Sequence, residues 1–459
     1  MAMNHLAPLS GGSGLEWPAF ASGKKATVLG LLFQLQQSEF WAPEQLISAQ
    51  YRQLAALLAH AVRTVPYYKD LLSQLDWSPE KPLNHEVWQK IAVSSRKQVQ
   101  TAGGALWSQA LDPAHGTTSE VHTSGSSGTP IRITKTTVCD LMYVAINLRD
   151  HLWHRRDLLR KLAMIRTLPD GVANYPKGAR QAGWGAAVDG LFPSGECAGL
   201  AITATVAQQL EWLQRERPAY LLAFPSVVEA LAQHALRHNI RLQGLAEITT
   251  LGETVNPDLR QLCRDAFGAD LVDTYSSQEV GYMALQCPDT GIYHVQSEAV
   301  YLEVLDANNQ PCQPGAVGRV VVTPLHNFAM PLIRYEVGDY AEVGHHCTCG
   351  RNLPTLKRIL GRSRNMLTLP NGDKLWPRLS ELRYGEIIPF SQFQMVQKSL
   401  ELLEVKLVAM REVTAAEEAR LRHLIVSRIG YPFRVEFSYH SHIPRSASGK
   451  YEDFRSDLE

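Results

Sequence analysis

Stretches with helical periodicity alternate with short β-branched runs through the middle of this chain, and no other feature restricts the fold as strongly. Residues 153–165 predict a helix that leads into a small loop. Residues 226–240 have the apolar spacing of a helix, and residues 246–253 follow with the β-branched composition of a strand. Because helices that alternate with strands cover the faces of a sheet, this pattern predicts an α/β architecture.

The regions before and after this segment have patterns of their own. Residues 43–63 combine apolar residues at helical spacing with strong helix formers, which predicts an N-terminal helical region. Residues 295–343 contain β-branched runs separated by turn residues, which predict a β-rich subdomain with antiparallel strands. Near the end of the chain, Thr414 and Glu417 form a capping-box pattern before a helix that stops at Gly430, with a strand pattern on either side. A compact α+β unit of roughly 95 residues therefore ends the chain.

Composition restricts the class of protein. At 459 residues the chain is too long for one ordinary hydrophobic core, so two or more domains are expected. Basic and acidic residues balance at 45 each, which indicates neither a nucleic-acid nor an anionic-membrane partner. The first residues lack the pattern of a secretory signal, and the apolar run at residues 27–33 is too short to cross a membrane. Seven scattered cysteines do not indicate a disulfide framework, so a cytoplasmic protein of enzyme size is expected.

The stretch HTSGSSGTP at residues 122–130 is rich in glycine, serine and threonine. It lacks the Lys-Ser/Thr pair that a Walker loop has after its last glycine, and its glycine spacing differs from that of a nucleophile elbow. Glycines allow close backbone approach, while hydroxyl and N–H groups donate to phosphate oxygens. On pattern alone the stretch is as compatible with a linker or turn as with a phosphate loop, although it runs directly into the strand-like IRITKTT.

Four further motifs follow: DTYSSQEVG at 273–281, PLIRYEVGDY at 331–340, GRSRNML at 361–367 and SASGK at 446–450. Together with TSGSSGTP they have the order and comparable separations of motifs in adenylate-forming enzymes, and the chain resembles the phenylacetate–CoA ligase-like branch of that superfamily. The resemblance runs from the first motif to the last, whereas the preceding residues carry no motif. It implies a large N-terminal domain, residues 1–363, and a small mobile C-terminal domain, residues 364–459, with Arg364 at the hinge.

The resemblance also assigns roles in ATP binding. The family's phosphate loop corresponds to Ser124, Gly125, Ser126, Ser127, Gly128 and Thr129, and its adenine pocket to Gly252 and Glu253. Tyr275, with its neighbour Ser276, corresponds to the tyrosine that stacks on adenine. Asp339 corresponds to the carboxylate that binds the ribose, and Arg362 is the arginine of GRSRNML. Glu279 would hold Mg²⁺ between phosphate oxygens. Lys450 would enter with the small domain and bridge the acid and the α-phosphate as pyrophosphate leaves. No lysine directly follows the phosphate loop, so no loop lysine is carried over, and Gln278 stands where the family has a hydroxyl residue.

The implied reaction has two steps. A carboxylic acid and ATP first form an acyl-adenylate and pyrophosphate, and a thiol then displaces AMP. Coenzyme A is the expected acceptor; a carrier-protein thiol or an amine is the alternative, as is a nucleotide-binding partner protein without catalysis. Trp184, Phe192 and Phe224 fall where the family builds its acyl pocket and favour an aryl or arylalkyl acid, although core packing explains such aromatic residues equally. The resemblance is compatible with a homodimer.

Cys287 and His294 in CPDTGIYH, with Cys347 and Cys349 in CTCG, form a candidate metal-ligand set. Three thiolates and an imidazole are typical of structural zinc, and some phenylacetate–CoA ligase-like proteins carry similar zinc-binding elements. The Cys-x-Cys spacing is tighter than that of common zinc fingers, and unrelated thiols are the alternative. His346 is a substitute ligand if His294 is not used. The sequence therefore predicts one structural zinc ion.

Overall fold

A computed structural model describes residues 8–11, 13–15, 17–72, 75, 77–122, 131–362, 365–377, 381–446 and 449–458. The N-terminal region is helical, as predicted. Its helices are α1 (Gly23–Ser38), α2 (Pro43–Thr64), α3 (Pro66–Leu72), α4 (His85–Gln89) and α5 (Arg96–Ala102). The predicted helix at residues 43–63 corresponds to α2, which buries a stripe of leucines against the core. A short hairpin of β1 (Thr118–His122) and β2 (Arg132–Thr136) follows.

A sheet of twelve strands forms the centre of the large domain. Its strands are β3 (Leu162–Arg166), β4 (Ala179–Gln181), β5 (Cys197–Ala201), β6 (Tyr220–Ala223), β7 (Glu247–Leu251), β8 (Asp270–Ser277), β9 (Gly281–Gln286), β10 (Tyr293–Val295), β11 (Val300–Leu305), β12 (Val317–Pro324), β13 (Tyr335–Val343) and β14 (Thr355–Arg362). The strand order is β11-β12-β13-β14-β10-β9-β8-β7-β6-β3-β5-β4. Strands β5, β3, β6, β7 and β8 are parallel, and the pairs from β8 through β9 to β11 are antiparallel.

Helices α6 (Thr137–Trp153), α7 (Val206–Glu216), α8 (Pro225–Arg237) and α9 (Leu259–Phe267) accompany the parallel strands, which confirms the predicted α/β architecture. The predicted helix at residues 226–240 corresponds to α8, and the strand predicted at 246–253 corresponds to β7. The antiparallel strands predicted within residues 295–343 are confirmed as β11, β12 and β13. They continue the same sheet through β14, β10 and β9, so the β-rich subdomain is hydrogen-bonded to the parallel half.

The helix predicted at residues 153–165 is wrong. Helix α6 ends at Trp153, and the apolar end of that segment forms β3 between β5 and β6. A strand buried among parallel neighbours reads as a continuous apolar run, and its leucine, alanine and methionine residues are also good helix formers. Tertiary pairing on both sides therefore decided the structure here.

The C-terminal unit has its own sheet and its own hydrophobic core. Its elements are β15 (Leu367–Thr368), β16 (Lys374–Leu375), α10 (Glu381–Ile387), β17 (Phe390–Gln397), β18 (Leu402–Ala409), α11 (Ala415–Ile429), β19 (Arg434–Tyr439) and β20 (Phe454–Ser456). The four-stranded sheet has the order β19-β18-β17-β20. The predicted capping box is present, since Thr414 and Glu417 cap α11, and Gly430 ends it in the left-handed conformation. Among the described residues, no helix has the length and apolar character required to cross a membrane.

Candidate active site

The carboxyl ends of the parallel strands meet the C-terminal unit, which is where open α/β sheets bind ligands. Phe224 directly follows β6 and Gly252 directly follows β7. Gly252 has a φ of +79°, and a Cβ atom there would lie 3.4 Å from Cε and 3.5 Å from Nζ of Lys450. The left-handed backbone favours glycine at this turn, and Lys450 packs at van der Waals distance from it. The structure brings the predicted adenine-pocket stretch LGET (residues 251–254) into contact with the SASGK motif.

Three of the residues predicted to bind the nucleotide form a connected group on strands of the large sheet. The Tyr275 hydroxyl on β8 donates to Oδ2 of Asp339 on β13 at 2.9 Å. Arg362, the last residue of β14, has its Nε 3.6 Å from the other carboxylate oxygen. Burial raises the pKa of Asp339, and the Arg362 guanidinium opposes that shift. Tyr275 is 7% exposed and packs in the core, so the structure supports its place beside the ribose-binding carboxylate, and adenine stacking stays a prediction.

Glu279 lies in the tight turn between β8 and β9. The pairing of these strands is irregular between Tyr275 and half-buried Ser276, a bulge of the kind that re-aims side chains at functional sites. The Glu279 side chain is buried, and its Oε1 accepts a hydrogen bond from Nη1 of Arg96 at 3.0 Å. Gln278 is exposed. The turn therefore directs the carboxylate inward, toward the group formed by Asp339.

Lys450 is the cation that the C-terminal unit contributes. Its pKa is lowered by burial and then by the Arg362 guanidinium, while the carboxylates of Asp339, Glu253 and Glu279 oppose the shift. The ammonium therefore lies within electrostatic reach of three of the four motifs predicted upstream. Such a partly desolvated cation interacts more strongly with developing negative charge than an exposed one does.

Two of the three predicted acyl-pocket residues lie elsewhere. The Trp184 indole donates to the carbonyl oxygen of Arg160, before β3, and its ring contacts Tyr220, the first residue of β6. These contacts lie at the amino ends of the parallel strands, and Phe192 packs in the same core cluster. The assignment of Trp184 and Phe192 to the acyl pocket is therefore corrected to core packing. Phe224 lies at the carboxyl end, where its ring would contact a Cβ at Gly252.

The predicted phosphate loop, formed by Ser124, Gly125, Ser126, Ser127, Gly128 and Thr129, and the predicted hinge residue Arg364 lie outside the described residues. The predicted domain boundary also falls there: β14 ends at Arg362, and β15 of the C-terminal unit begins at Leu367. Gly361 connects this segment to the site, because a Cβ there would lie 2.7 Å from Oγ1 of Thr254.

Three site residues were missed by reasoning from sequence. Arg96 pairs with Glu279, and Nη1 of Arg445 donates to Oγ of Ser226 at 2.7 Å. Lys135 lies on β2, and its pKa is lowered by burial, with Glu279 among the anions that oppose the shift. The only signal for Lys135 was its place in the strand after the glycine–serine stretch.

The four predicted metal ligands form one cluster in the large domain. Cys287 follows β9, His294 lies on β10, and Cys347 and Cys349 lie in the loop between β13 and β14. All four ligand atoms lie within 4.8 Å of one another. The Sγ atoms of Cys347 and Cys287 are 3.8 Å apart, and Sγ of Cys349 is 3.3 Å from Nε2 of His294. This separation excludes a disulfide, whose S–S bond is about 2.05 Å.

The distances fit tetrahedral zinc. Zinc bonds of about 2.3 Å to sulfur and 2.0–2.1 Å to nitrogen imply about 3.8 Å between two sulfurs and about 3.5 Å between sulfur and nitrogen. Nδ1 of His294 lies 3.4 Å from the Leu353 carbonyl oxygen, the kind of outer contact that orients a metal-bound imidazole. His346 lies beside Asn352 instead, with 3.2 Å between its Nε2 and the amide oxygen. The fit therefore favours His294 over His346 as the fourth ligand.

Comparison with known proteins agrees with this geometry. A family description named CapK C-terminal domain matches residues 386–456. The phenylacetate–coenzyme A ligase of Thermus thermophilus is 24% identical over 445 residues, which cover 89% of this chain and 95% of that protein. A crystal structure of 2-hydroxyisobutyryl-CoA ligase in the postadenylation state superposes with a TM-score of 0.72 at 19% identity, covering 92% of each chain. The chain has the adenylate-forming ligase fold.

Two further solved ligases are similar to this chain. An anthranilate CoA ligase with anthranoyl-AMP gives a TM-score of 0.51 at 16% identity, covering 72% of this chain and 64% of that one. The 2-hydroxyisobutyryl-CoA ligase in its thioesterification state gives only 0.58 at 20% identity, with 92% of each chain covered. The predicted resemblance to adenylate-forming enzymes and to their phenylacetate–CoA ligase-like branch is confirmed.

Proposed function

We propose that this protein is an acid–CoA ligase that forms AMP: it activates a carboxylic acid as an acyl-adenylate and transfers the acyl group to coenzyme A. The observation that carries the proposal is the approach of Lys450 to Gly252, within electrostatic reach of Asp339 and Glu279. Nucleotide-binding motifs from both parts of the chain meet at this point. The relative from Thermus thermophilus and the solved ligases in complex with acyl-AMP and CoA support the same reaction.

In the first step, a carboxylate oxygen of the acid attacks the α-phosphorus of ATP, and the bond between that phosphorus and the bridging oxygen of pyrophosphate breaks. The Lys450 ammonium stabilises the negative charge that the attacking carboxylate and the α-phosphate bring together. Asp339 accepts hydrogen bonds from the ribose hydroxyls, which suits its two oxygens. The nucleotide is thereby held while pyrophosphate leaves.

A magnesium ion and a zinc ion belong to the proposal. Glu279 offers the single hard carboxylate that Mg²⁺ typically uses beside substrate phosphates, and the ion would neutralise phosphate charge there. Cys287, His294, Cys347 and Cys349 would hold zinc as a structural ion, at a distance from the chemistry. Since the substrates ATP and coenzyme A are cytoplasmic metabolites, we also propose a cytoplasmic enzyme. A homodimer and a carrier-protein acceptor stay predictions.

In the second step, the thiol of coenzyme A attacks the acyl carbon, and AMP leaves. We infer that the C-terminal unit rotates first, since Lys450 lies against Gly252 in the present arrangement, where the acyl-adenylate would form. The higher TM-score against the postadenylation state supports an arrangement suited to the first step.

The acid is proposed to be aryl or arylalkyl. Phe224 borders the site, and the half-exposed Tyr143 on α6 stacks on Tyr282 with ring centroids 4.7 Å apart. This stack adjoins Gly281, two residues after Glu279, since a Cβ at Gly281 would lie 3.8 Å from the Tyr143 ring. An aromatic acid would pack well against such faces.

The test is ATP–pyrophosphate exchange across a panel of aryl, arylalkyl, hydroxy, fatty and amino acids, with CoA-dependent AMP release measured alongside. Exchange with one class of acid, and AMP release that requires CoA, are the expected results. Exchange without a CoA effect would indicate a carrier protein or an amine as the acceptor. ATP binding without exchange for any acid would refute the ligase proposal.

A further inference from the structure

The Glu253 carboxylate connects the two parts of the chain. Its Oε1 accepts a hydrogen bond from the backbone N–H of Tyr451 at 2.6 Å, and its Oε2 accepts one from the backbone N–H of Ser226 at 3.0 Å. Tyr451 directly follows Lys450, whereas Ser226 lies in the first turn of α8 in the large domain. Glu253 therefore holds the backbone next to the reactive lysine.

Arg445 makes a second connection from the opposite side. Its Nη1 donates to Oγ of Ser226 at 2.7 Å and to the carbonyl oxygen of Gly449 at 3.1 Å, and it lies 3.9 Å from Oε1 of Glu253. The backbone N–H of Ser446 donates to the Lys450 carbonyl oxygen at 2.9 Å. These bonds hold Arg445 and Ser446 beside Gly449 and Lys450, and they join these residues to Ser226. We call these four residues the turn of Lys450.

Gly449 allows the turn of Lys450 to pack closely against the large domain. It has a φ of +80°, and a Cβ there would lie 2.2 Å from Oγ1 of Thr167 and 3.5 Å from the Phe224 ring. The turn thus presses against loops that follow β3 and β6, and small displacements of it would move Lys450 out of the site. Groups that fix the turn consequently fix the ammonium.

We propose that Glu253 and Arg445 are positioning residues, which clamp the turn carrying Lys450 in the arrangement for acyl-adenylate formation and release it for thioester formation. The inference deepens the proposed function and rests on it. The resemblance implied that Glu253 lines the adenine pocket through its backbone groups. Its side chain has a separate positioning task, because its two carboxylate oxygens accept hydrogen bonds from the N–H groups of Tyr451 and Ser226. Its burial makes the bonds to the two N–H groups stronger than exposed ones.

Rotation of the C-terminal unit must break the two bonds that cross the interface, from the Tyr451 N–H to Glu253 and from Arg445 to Ser226. The clamp therefore stabilises only one of the two arrangements, and its loss should affect one half-reaction. This selectivity distinguishes positioning from a general structural role, which would slow both half-reactions alike.

The first test uses the Glu253→Gln variant, in which one of the two N–H groups faces an amide NH₂ in place of an oxygen. We expect ATP–pyrophosphate exchange to fall on the order of 10- to 100-fold, since hydrogen bonds to charged groups are at stake. Thioester formation from supplied acyl-adenylate should stay within about twofold of wild type. Glu404→Gln, which changes a carboxylate bonded to Ser438 inside the C-terminal sheet, is the matched control and should leave both half-reactions unchanged.

The second test needs no substrate, so it separates failure of the clamp from failure of the proposed function. Nη1 of Arg237 on α8 lies 2.8 Å from Sδ of Met410, and both residues are exposed. With cysteines at both positions, a short bismaleimide should cross-link the two parts, and peptide mapping identifies the product. Adding Glu253→Gln should lower the cross-linking rate several-fold. An unchanged rate, or equal losses in both half-reactions, would overturn the clamp.

Discussion

The proposed zinc site allows a stability prediction with a magnitude. Cys287 and Cys347 lie 60 residues apart in the chain, and a shared metal ion would close that loop. In the chain-entropy treatment of cross-links, closing a loop of this size stabilises the folded state by about 4 kcal/mol. The unfolding entropy of a domain of several hundred residues converts this free energy to a shift of about 5 °C in melting temperature. Removing the metal should therefore lower the melting temperature of the large domain by about that amount.

The assay combines elemental analysis with calorimetry of the purified full chain. We expect one zinc per chain in the wild type, and loss of zinc together with the lower melting temperature in Cys347→Ser. Cys312→Ser is the matched control, because this thiol also lies in the large domain but outside the cluster. It should keep zinc and melt within about 1 °C of wild type, as substitutions away from such features usually do.

Two results would refute the reasoning. Wild-type protein purified without chelator could contain no zinc, which would remove the site. Alternatively, Cys347→Ser and Cys312→Ser could lower the melting temperature equally, which would show that thiol packing, and no metal, stabilises the loop. Chelation of the wild type provides a further check, because it should reproduce the Cys347→Ser shift without any change in sequence.

Three other predictions concern the site and the interface. Lys450→Ala should lower ATP–pyrophosphate exchange by about 100-fold or more while ATP binding, measured by calorimetry, is retained. Gly252→Ala should lower exchange about tenfold, since left-handed backbone costs a non-glycine residue about 1–2 kcal/mol and the new Cβ would contact Lys450. The control is Gly268→Ala, which has the same backbone constraint but open space around the new Cβ, and it should only reduce stability. Docking of the C-terminal unit should weaken as the pH rises from about 5 to about 8. Burial and then Asp453 raise the pKa of Glu229 to about 8, and burial and then Glu253 raise that of Asp453 to about 6, so the docked form favours protonated carboxyls. The rate of the interdomain cross-link, divided at each pH by the rate at which a monofunctional maleimide labels the same two cysteines, checks the sign.

Local periodicity predicted much of the fold because the elements concerned carry their signal within themselves. Helix α8 has an apolar stripe, and Thr414 and Glu417 form the capping box at the N-terminus of α11. The prediction failed at β3, where the neighbours on both sides come from distant parts of the sequence. The continuity of the antiparallel strands with the parallel ones was missed for the same reason, because pairing between strands is a non-local property.

The same difference between local and non-local signals applies to the residues of the site. Motifs predicted Lys450, Asp339 and Glu279, which the structure brings near one another, because the chemistry fixes their residue types and their surroundings. The partners of these residues were not found, since Arg96 lies 183 residues from Glu279 and Arg445 lies 219 residues from Ser226. The misplaced Trp184 shows the converse, because an aromatic residue near a site in sequence can point to the other end of a strand.

The interface between the two parts combines contacts that favour docking with groups that oppose it. Glu253 and Arg445 hold the turn of Lys450, whereas docking raises the pKa of Glu229 and Asp453 and therefore costs free energy at neutral pH. An interface with only favourable contacts would keep Lys450 in the site after adenylation and block the approach of a thiol. Opposing terms bring the two arrangements closer in free energy, so that bound nucleotide can decide between them. The buried carboxyls are thus as necessary to a two-step ligase as the clamp that they oppose.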